Sequence, residues 1–318
     1  MGLPDIDWKA GAASYVQGYF DKYGKVAIGD FIATKPLSLV AAENPERAAE
    51  EISAYLSNFA NTVNLLKLPP GARVLDVACG GGWLAHWMSK LGYEAYGFDL
   101  SADFISLARD RLRQDPHLKL SQAVLDDRFW AHDIETSALS DNLQGSFDAI
   151  ILESCLHHFF NPISALRHLS AALKPSGAMV ILEGENRRGE IAPEYMRVML
   201  ETSTLERPLP RRLLIESLEA AQLDHIEFLA SAPNFYPAST LGENEEQLLR
   251  QRSEGTNFCV AAKSGDVIDR IFARAPARSE TVSTAQDVAA REDIALDEPS
   301  KKQRGGLIRR ILRRLRSL

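Results

Sequence analysis

Short apolar runs alternate with longer amphipathic stretches through the middle of the chain. Such alternation is typical of βαβ units, in which helices connect parallel strands. The pattern predicts strands at 73–78, 94–99, 129–132, 147–153 and 178–183, with helices at 83–91, 101–112 and 162–173. A helix at 213–221 and two more apolar runs, at 225–230 and 257–262, follow them. We therefore expect an α/β fold of the doubly wound, Rossmann-like type, with a mostly parallel sheet and a terminal antiparallel strand pair.

Local signals support several of these boundaries. Gly92 follows the first helix as a helix-ending glycine, and Ser101 precedes the second helix as an N-cap. Pro175, Ser176 and Gly177 predict a tight turn into the fifth strand.

The segments on either side of this core have different patterns. Aromatic residues crowd 14–36, and apolar positions at helical spacing predict a helix at 46–67. We expect a helical N-terminal extension over 1–67, acting as a lid on a central domain at 68–263. After that domain the chain turns polar, which predicts a disordered C-terminal linker over 264–300.

The final segment, 301–318, carries eight of the 36 Lys and Arg residues and no acid. Plotted as a helix, 307–318 separates Leu and Ile from Arg, which predicts a basic amphipathic helix. Such a helix suits an anionic membrane surface or an acidic protein partner, and docking on the chain's own acidic body is the alternative. The tail lacks aromatic residues for stacking, and residues 1–300 hold 28 basic against 43 acidic residues. Both facts argue against nucleic acid as a partner.

The cysteines and the N-terminus bear on location. Cys79, Cys155 and Cys259 are widely spaced and form no C-x-x-C pair, which suits a reducing compartment. The N-terminus has no export signal, and no window approaches the roughly 20 apolar residues of a membrane-spanning helix. We expect a cytoplasmic protein, which is peripheral at the inner membrane face if the tail binds lipid.

The segment from Val74 to Ala85 runs from a buried type of strand through three glycines into a helix. Glycines let the backbone approach a ligand closely, and doubly wound folds hold nucleotides at such a turn. The spacing of Gly80, Gly82 and Ala85 alone also matches dinucleotide-binding proteins. Asp76 favours a ligand with an ammonium group, because a carboxylate in this place would repel a pyrophosphate.

The sequence Val-Leu-Asp-Val-Ala-Cys-Gly-Gly-Gly at 74–82 resembles the first motif of class I S-adenosylmethionine-dependent methyltransferases, and the similarity continues over 65–185. The resemblance implies methyl transfer from S-adenosylmethionine by the domain at 68–263. It also implies a donor site that includes five residues of the motif: Asp76, Ala78, Cys79, Gly80 and Gly82.

Acids that follow later strands are implied to hold the rest of the donor. Asp99, with Leu100 beside it, would accept the ribose hydroxyls as the corresponding acid does in the family. Asp133 would contact the adenine amino group, while Ile134 packs on the ring. The stretch that separates these acids is long for the family. The alternatives to Asp133 are two nearby acids, Asp126 and Asp127.

The fourth strand leads into Cys155-Leu156-His157-His158-Phe159, which resembles the family's segment beside the donor's methyl group. A hydroxyl or amine acceptor must lose a proton, and a histidine with a pKa near neutrality is the natural base. His157 and His158 are the candidates, and the resemblance favours His158. Glu153 is the alternative proton acceptor, or else a contact to the donor.

Neither a metal centre nor a thiol nucleophile is expected beside this segment. His157 and His158 are adjacent, so they would point in different directions on a helix or a strand. Cys79 and Cys155 lack the His or Asn partners of a catalytic thiol, and small buried residues are the better interpretation.

The sequence leaves the acceptor open among small molecules, lipids and glycans. Its pocket is expected between the aromatic segment and 184–210, where the candidates are Asn186, Arg187, Arg188, Tyr195 and Met196. Two other functions stay open. One is a noncatalytic donor-binding or adaptor protein that presents its basic tail. The other is a nicotinamide-dependent oxidoreductase, which leaves Asp76 and the paired histidines unexplained.

Overall fold

A computed structural model describes residues 5–17, 45–186, 191, 193–230 and 256–273. All of them lie in one unit, Met1–Ala273, and a second unit, Arg274–Leu318, lies outside the described residues. The predicted basic helix, most of the predicted linker and most of the aromatic segment 14–36 therefore stay predictions.

Helices and strands alternate in the described part as the apolar pattern predicts. The strands are β1 (Arg73–Val77), β2 (Glu94–Asp99), β3 (Phe129–Ala131), β4 (Phe147–Glu153), β5 (Leu173–Leu182), β6 (His225–Phe228) and β7 (Cys259–Ala262). The helices are α1 (Trp8–Ala13), α2 (Pro45–Leu66), α3 (Trp83–Lys90), α4 (Ala102–Gln114), α5 (Gln122–Arg128), α6 (Pro162–Ala172), α7 (Pro193–Thr202), α8 (Arg211–Ala220) and α9 (Gly265–Ala273). Among these residues no helix combines the length and the apolar character needed to cross a membrane.

One seven-stranded sheet has the order β3-β2-β1-β4-β5-β7-β6. Strands β1 to β5 run parallel, and β7 runs antiparallel to both β5 and β6. The strand order reverses between β1 and β4, so the loops that leave these two strands diverge and open a crevice at the carboxyl edge. The predicted doubly wound fold and its terminal antiparallel pair are confirmed.

Helices cover both faces of the sheet, which is why its central strands are almost continuously apolar. On β4, Ile150 and Leu152 enter one apolar cluster, whereas Ala149 and Ile151 enter the other. Helix α2 packs Tyr55 and neighbouring apolar residues against the second cluster. The second half of the predicted N-terminal extension thus lies against the sheet.

Both predicted helix boundaries are confirmed, but the predicted turn before β5 is wrong. Gly92 follows α3 with a φ of 87°, and Ser101 Oγ accepts a hydrogen bond from Phe104 N at 3.4 Å. Strand β5 already begins at Leu173, which pairs with Phe147 of β4. The turn-forming residues that follow therefore make a bulge inside the strand instead of a turn before it.

The predicted disordered linker is wrong over its first residues. Residues 265–273 form α9, and its Val267 and Ile271 are buried in the second apolar cluster. These apolar residues recur at helical spacing inside a polar stretch, so average composition conceals them. Helices α5 and α7 likewise occupy segments for which the pattern predicts no element.

Gly82 is required by helix packing, which gives a first testable prediction. Its φ is 70°, and a Cβ there would lie 2.7 Å from the Cβ of Ala108 in α4. Gly80 also has a positive φ, of 51°, but a Cβ there would meet nothing within 4 Å. We expect Gly82→Ala to lower the free energy of unfolding by about 2–4 kcal/mol through backbone strain and overpacking. Gly80→Ala, the matched control, should lower the free energy of unfolding by about 1 kcal/mol. Urea titration measures both variants. Equal losses would show that the contact with α4 is irrelevant.

Candidate active site

A cavity of about 260 Å³ opens at the carboxyl edge of the sheet, beside the point where the strand order reverses. Its walls come from the ends of β1, β2 and β4, from the residues after β3, and from α1. They combine aromatic residues with three acids, Asp99, Asp133 and Glu135. The lining residues are Trp8, Lys9, Ala12, Tyr15, Ala78, Gly80, Phe98, Asp99, Leu100, Phe104, His132, Asp133, Ile134, Glu135, Ser154, Cys155, His158, Phe159, Phe160 and Thr204.

The glycine-rich turn contributes its first part to the cavity. Ala78 and Gly80 line it, both with positive φ, of 50° and 51°. The space beside Gly80 is what a closely bound ligand needs. Cys79 and Gly82 do not line the cavity: Cys79 is buried with its Sγ near Gly97, and Gly82 packs on α4.

Asp99 closes β2 and presents its carboxylate at the cavity wall. Its Oδ2 accepts a hydrogen bond from Gly80 N at 3.0 Å, and its Oδ1 accepts one from Ser101 N at 2.9 Å. Burial raises the pKa of Asp99 to about 6, although these two backbone donors lower it in part. The side chain is thus fixed by the backbone of the neighbouring turns, with Leu100 beside it in the lining.

Asp133 and Ile134 also line the cavity, whereas Asp126 and Asp127 lie on the exposed surface of α5. Of the three acids, Asp133 is the one that lines the cavity. Lys9 of α1 reaches across to Asp133 Oδ2, with Nζ at 2.5 Å. Burial raises the pKa of Asp133, but the Lys9 ammonium outweighs it and holds the pKa below its ordinary value.

Helix α1 contributes Trp8, Lys9 and Ala12 to the cavity wall. Trp8 packs with Met199 of α7 and with Leu205, which anchors the helix beside the site. Besides its bond to Asp133, Lys9 Nζ lies 3.4 Å from Glu135 Oε2. An ion pair and a small apolar cluster thus hold α1 in place.

Two predicted acids lie outside the cavity lining. Asp76 is buried, and its Oδ2 accepts a hydrogen bond from Ala85 N at 3.1 Å, in the first turn of α3. A carboxylate in this position stabilises the positive end of the helix. Glu153 lies on the side of the sheet covered by α2, where its Oε1 accepts from Asn58 Nδ2 at 3.4 Å.

The two thiols beside the site, Cys79 and Cys155, are buried. Burial, reinforced by nearby carboxylates, raises the pKa of both Cys79 and Cys155 well above the ordinary value. Because the thiolate is the nucleophilic form, neither residue has the character of a catalytic cysteine.

His157 lies between two carboxylates and does not line the cavity. Its Nδ1 lies 2.8 Å from Glu183 Oε2, and its Nε2 lies 3.3 Å from Glu206 Oε2. Burial lowers the pKa of His157, but the two carboxylates outweigh burial and raise it to about 10. An imidazole that is already protonated at pH 7 cannot accept a proton there, so His157 is not suited to act as a base.

His158 lines the cavity and has the opposite protonation. Burial and the positive charge of His157 lower its pKa, so the ring is neutral at pH 7. Its Nδ1 lies 2.6 Å from the carbonyl oxygen of Leu205, which can only accept. The proton therefore resides on Nδ1, and Nε2 keeps the basic lone pair.

One group of the described residues is close enough to share a metal ion: His157, His158 and Glu206. One possible ligand atom of each lies within 4.8 Å of the others. Their hydrogen bonds favour protons over a metal. Both nitrogens of His157 face carboxylates, and Nδ1 of His158 donates to a carbonyl. A metal ligand would have to surrender these bonds.

Several residues of the site lie outside the motifs and strand-end patterns that the sequence shows. Glu183 directly follows β5, at the same sheet edge as Asp99, and the topology could have singled it out. Lys9, Glu135 and Glu206 lie in no recognisable motif. Of the expected acceptor-pocket residues, Met196 packs with the α1 cluster, Tyr195 is exposed, and Arg187 and Arg188 lie outside the described residues.

The crevice lies at the switch point of a doubly wound sheet, where such folds hold nucleotides, and a strand-end aspartate and a glycine turn form part of its wall. Residues 44–243 match a family model described as "Methyltransferase domain". The chain belongs to this family. The predicted class and its methyl donor, S-adenosylmethionine, are confirmed, and the nicotinamide alternative is not.

Curated relatives of this chain carry the name of an O-methyltransferase. A ubiquinone biosynthesis O-methyltransferase of Xanthomonas axonopodis pv. citri (strain 306) is 31% identical over 172 residues, covering 54% of this chain and 63% of the relative. The chain thus spans less than two thirds of that relative's length.

Solved structures share the fold at low identity. Phosphoethanolamine N-methyltransferase 2 of Haemonchus contortus, in complex with S-adenosyl-L-methionine, has a TM-score of 0.51 and 16% identity, covering 78% of this chain and 60% of that chain. The [4+2]-cyclase SpnF has a TM-score of 0.51 and 19% identity, covering 82% of this chain and 97% of that chain. The fold is therefore shared by proteins with different reactions.

Proposed function

We propose that this protein transfers the methyl group of S-adenosylmethionine to a hydroxyl group of a small aromatic acceptor, with His158 as the general base. The observation that carries the proposal is a neutral histidine in the cavity wall, with its proton on Nδ1 and its lone pair on Nε2. The ring is ready to accept a proton without first losing one.

The donor would lie along the edge formed by Gly80, Asp99 and Asp133. Asp99 would accept the ribose hydroxyls, as the acid in this place does in the family. Asp133 would accept from the adenine amino group, with Ile134 against the ring. The acids around the cavity also favour a ligand that carries a sulfonium and an ammonium group.

Methyl transfer is a direct displacement at carbon. The acceptor oxygen forms the new bond to the methyl carbon while the carbon–sulfur bond breaks and its electron pair stays on sulfur. The hydroxyl proton passes to Nε2 of His158, which becomes an imidazolium. The products are a methyl ether and S-adenosylhomocysteine, and bulk water later removes the proton. Orientation and exclusion of water supply the rest of the rate enhancement.

A hydroxyl on an aromatic ring suits the walls better than the other predicted acceptors. Trp8, Tyr15, Phe104 and Phe159 offer aromatic surface to a flat ring. A phenol also loses its proton to a neutral imidazole more readily than an aliphatic alcohol does. The curated relatives carry O-methyltransferase names, which supports an oxygen acceptor.

The proposal is tested by turnover. The purified protein is incubated with S-adenosylmethionine and a panel of phenols and catechols, and S-adenosylhomocysteine and methyl ethers are quantified by mass spectrometry. We expect His158→Gln to lower kcat about 10²–10⁴-fold, because a positioned base contributes about that much, while donor affinity is kept. His117→Gln, the same change at an exposed position, serves as the control.

Three results would contradict the proposal. Donor binding without methyl transfer to any acceptor would favour the noncatalytic donor-binding alternative. Methylation of amines alone would move the reaction to nitrogen. Full activity in His158→Gln would exclude this residue as the base.

A further inference from the structure

The segment that carries His158 is bound at several points to Glu183, a buried acid after β5. Glu183 Oε1 accepts from Cys155 N at 2.6 Å and from Leu156 N at 2.5 Å. Its other oxygen binds His157 Nδ1 at 2.8 Å. One side chain therefore fixes three consecutive residues just before His158. Charge-assisted hydrogen bonds of this kind are stronger than neutral ones.

A second segment, 205–207, holds the two histidines from the opposite side. Glu206 Oε2 lies 3.3 Å from His157 Nε2, and its Oε1 lies 3.7 Å from His158 Nδ1. The Leu205 carbonyl oxygen accepts from His158 Nδ1, and Arg207 N donates to the His157 carbonyl oxygen at 3.1 Å. The ring of each histidine is thus fixed by a partner outside its own segment.

The charges alternate along this chain of contacts. Glu183 and Glu206 flank the His157 imidazolium, and the two histidine rings lie with their centroids 4.0 Å apart. A cation at that distance disfavours a second one on His158. The titratable groups facing His158 are His157, Glu206 and Glu183, and of these only His157 disfavours the protonated ring.

We propose that Glu183, His157 and Glu206 form a positioning network that keeps His158 neutral, with its proton on Nδ1 and its ring against the cavity. His157 is then a positioning residue and takes no proton from the acceptor. The proposal rests on the proposed function only in making His158 the base, since the network itself is a property of the free protein.

The first experiment needs no acceptor. The histidines of the full chain are labelled with ¹⁵N, and their protonation and tautomers are followed by NMR between pH 5 and pH 11, with His157→Gln and His158→Gln identifying the two signals. We expect His157 to stay doubly protonated until a pKa of about 10. His158 should be neutral at pH 7, with Nδ1 protonated.

The decisive variant is His157→Gln. It removes the cation that lowers the pKa of His158. Glu183 and Glu206, which raise that pKa, stay in place. We expect the His158 transition to move upwards by about one pH unit, which is a tenfold change in proton affinity. Glu227→Gln, at an exposed position of β6, should leave it in place.

Two NMR results would overturn the network: a neutral His157 at pH 7, or an unchanged His158 transition in His157→Gln. A further experiment adds Zn²⁺ to the labelled protein at pH 7 and follows the same NMR signals. If stoichiometric Zn²⁺ shifts the His157 and His158 signals, the cluster is a metal site and the proposal fails; unchanged signals support protons between these groups.

The pH dependence of turnover separates the two proposals. In the wild-type protein, kcat should fall on the acid side as His158 becomes protonated, and His157→Gln should move that limb upwards by about one unit. If His158→Gln retains the limb, the proposed function fails. If the limb depends on His158 but is not moved by His157→Gln, only the network fails.

Discussion

Replacing Asp99 with alanine is expected to weaken the binding of S-adenosylmethionine about a hundredfold or more. The carboxylate is fixed by Gly80 N and Ser101 N at the cavity wall, where two ribose hydroxyls would donate to it. Each hydrogen bond to a charged acceptor contributes about 1.5–3 kcal/mol, so two of them account for a loss of this size. Calorimetric titration with S-adenosylmethionine and S-adenosylhomocysteine measures it.

Asp103→Ala is the matched control, since it removes the same charge from an exposed position in the first turn of α4. Its affinity for the donor should equal that of the wild-type protein. Equal weakening in both variants would mean that general charge, and not the position of Asp99, holds the donor. Unchanged affinity in Asp99→Ala would contradict its role in the donor site.

Donor binding should also depend on pH in a way that identifies Asp99. Burial raises the pKa of this acid to about 6 in the free protein. Only the ionised carboxylate accepts from both hydroxyls, so affinity should be constant above pH 6 and fall up to tenfold per unit below it. Asp99→Ala should abolish this dependence.

Replacing Glu183 with alanine is expected to lower the free energy of unfolding by about 3–5 kcal/mol. The change leaves two buried backbone N–H groups without their acceptor and the His157 imidazolium with one carboxylate where it had two. Thermal unfolding should show a decrease in Tm of about 10 °C.

Two further variants sharpen this test. Glu183→Gln keeps an oxygen for the two N–H groups and should lose less stability, whereas Glu227→Ala, on the exposed face of β6, should stay within about 0.5 kcal/mol of wild type.

The loss of stability in Glu183→Ala should also depend on pH. The pKa of His157 is raised to about 10, so its stabilisation is full below its ordinary pKa of 6.5 and disappears as the pH rises through 10. The effect of Glu183→Ala should therefore diminish towards pH 10, and an effect independent of pH would assign it to the backbone bonds alone.

The central strands could be predicted because both faces of the sheet are buried. Ile150, Ile151 and Leu152 are consecutive and all fully buried, a pattern that a surface strand does not show. The predicted turn at 175–177 failed because turn-forming residues also suit a bulge, and only the pairing with β4 distinguishes the two.

The sequence could bring the residues expected to hold the donor to one cavity because these residues follow strands in a fixed order. Gly80, Asp99 and Asp133 each lie at or just after a strand end and meet at one sheet edge. The sequence could not tell which glycines of the turn line the cavity and which pack against a helix, as Gly82 does. The resemblance favours His158 over His157, but the sequence does not supply the reason, because the protonation of the two rings depends on Glu183 and Glu206, which are distant in sequence.

The bond between Lys9 and Asp133 makes the binding and release of a ligand at Asp133 depend on α1. Asp133 lines the cavity and is already bound to Lys9. A ligand that hydrogen-bonds Asp133 must share it with the ammonium group or displace it. The binding of such a ligand and the position of α1 are therefore thermodynamically linked, and each changes the other by the same factor. Salt screens this ion pair, so ionic strength acts on the binding of a ligand at Asp133 as well as on surface charge.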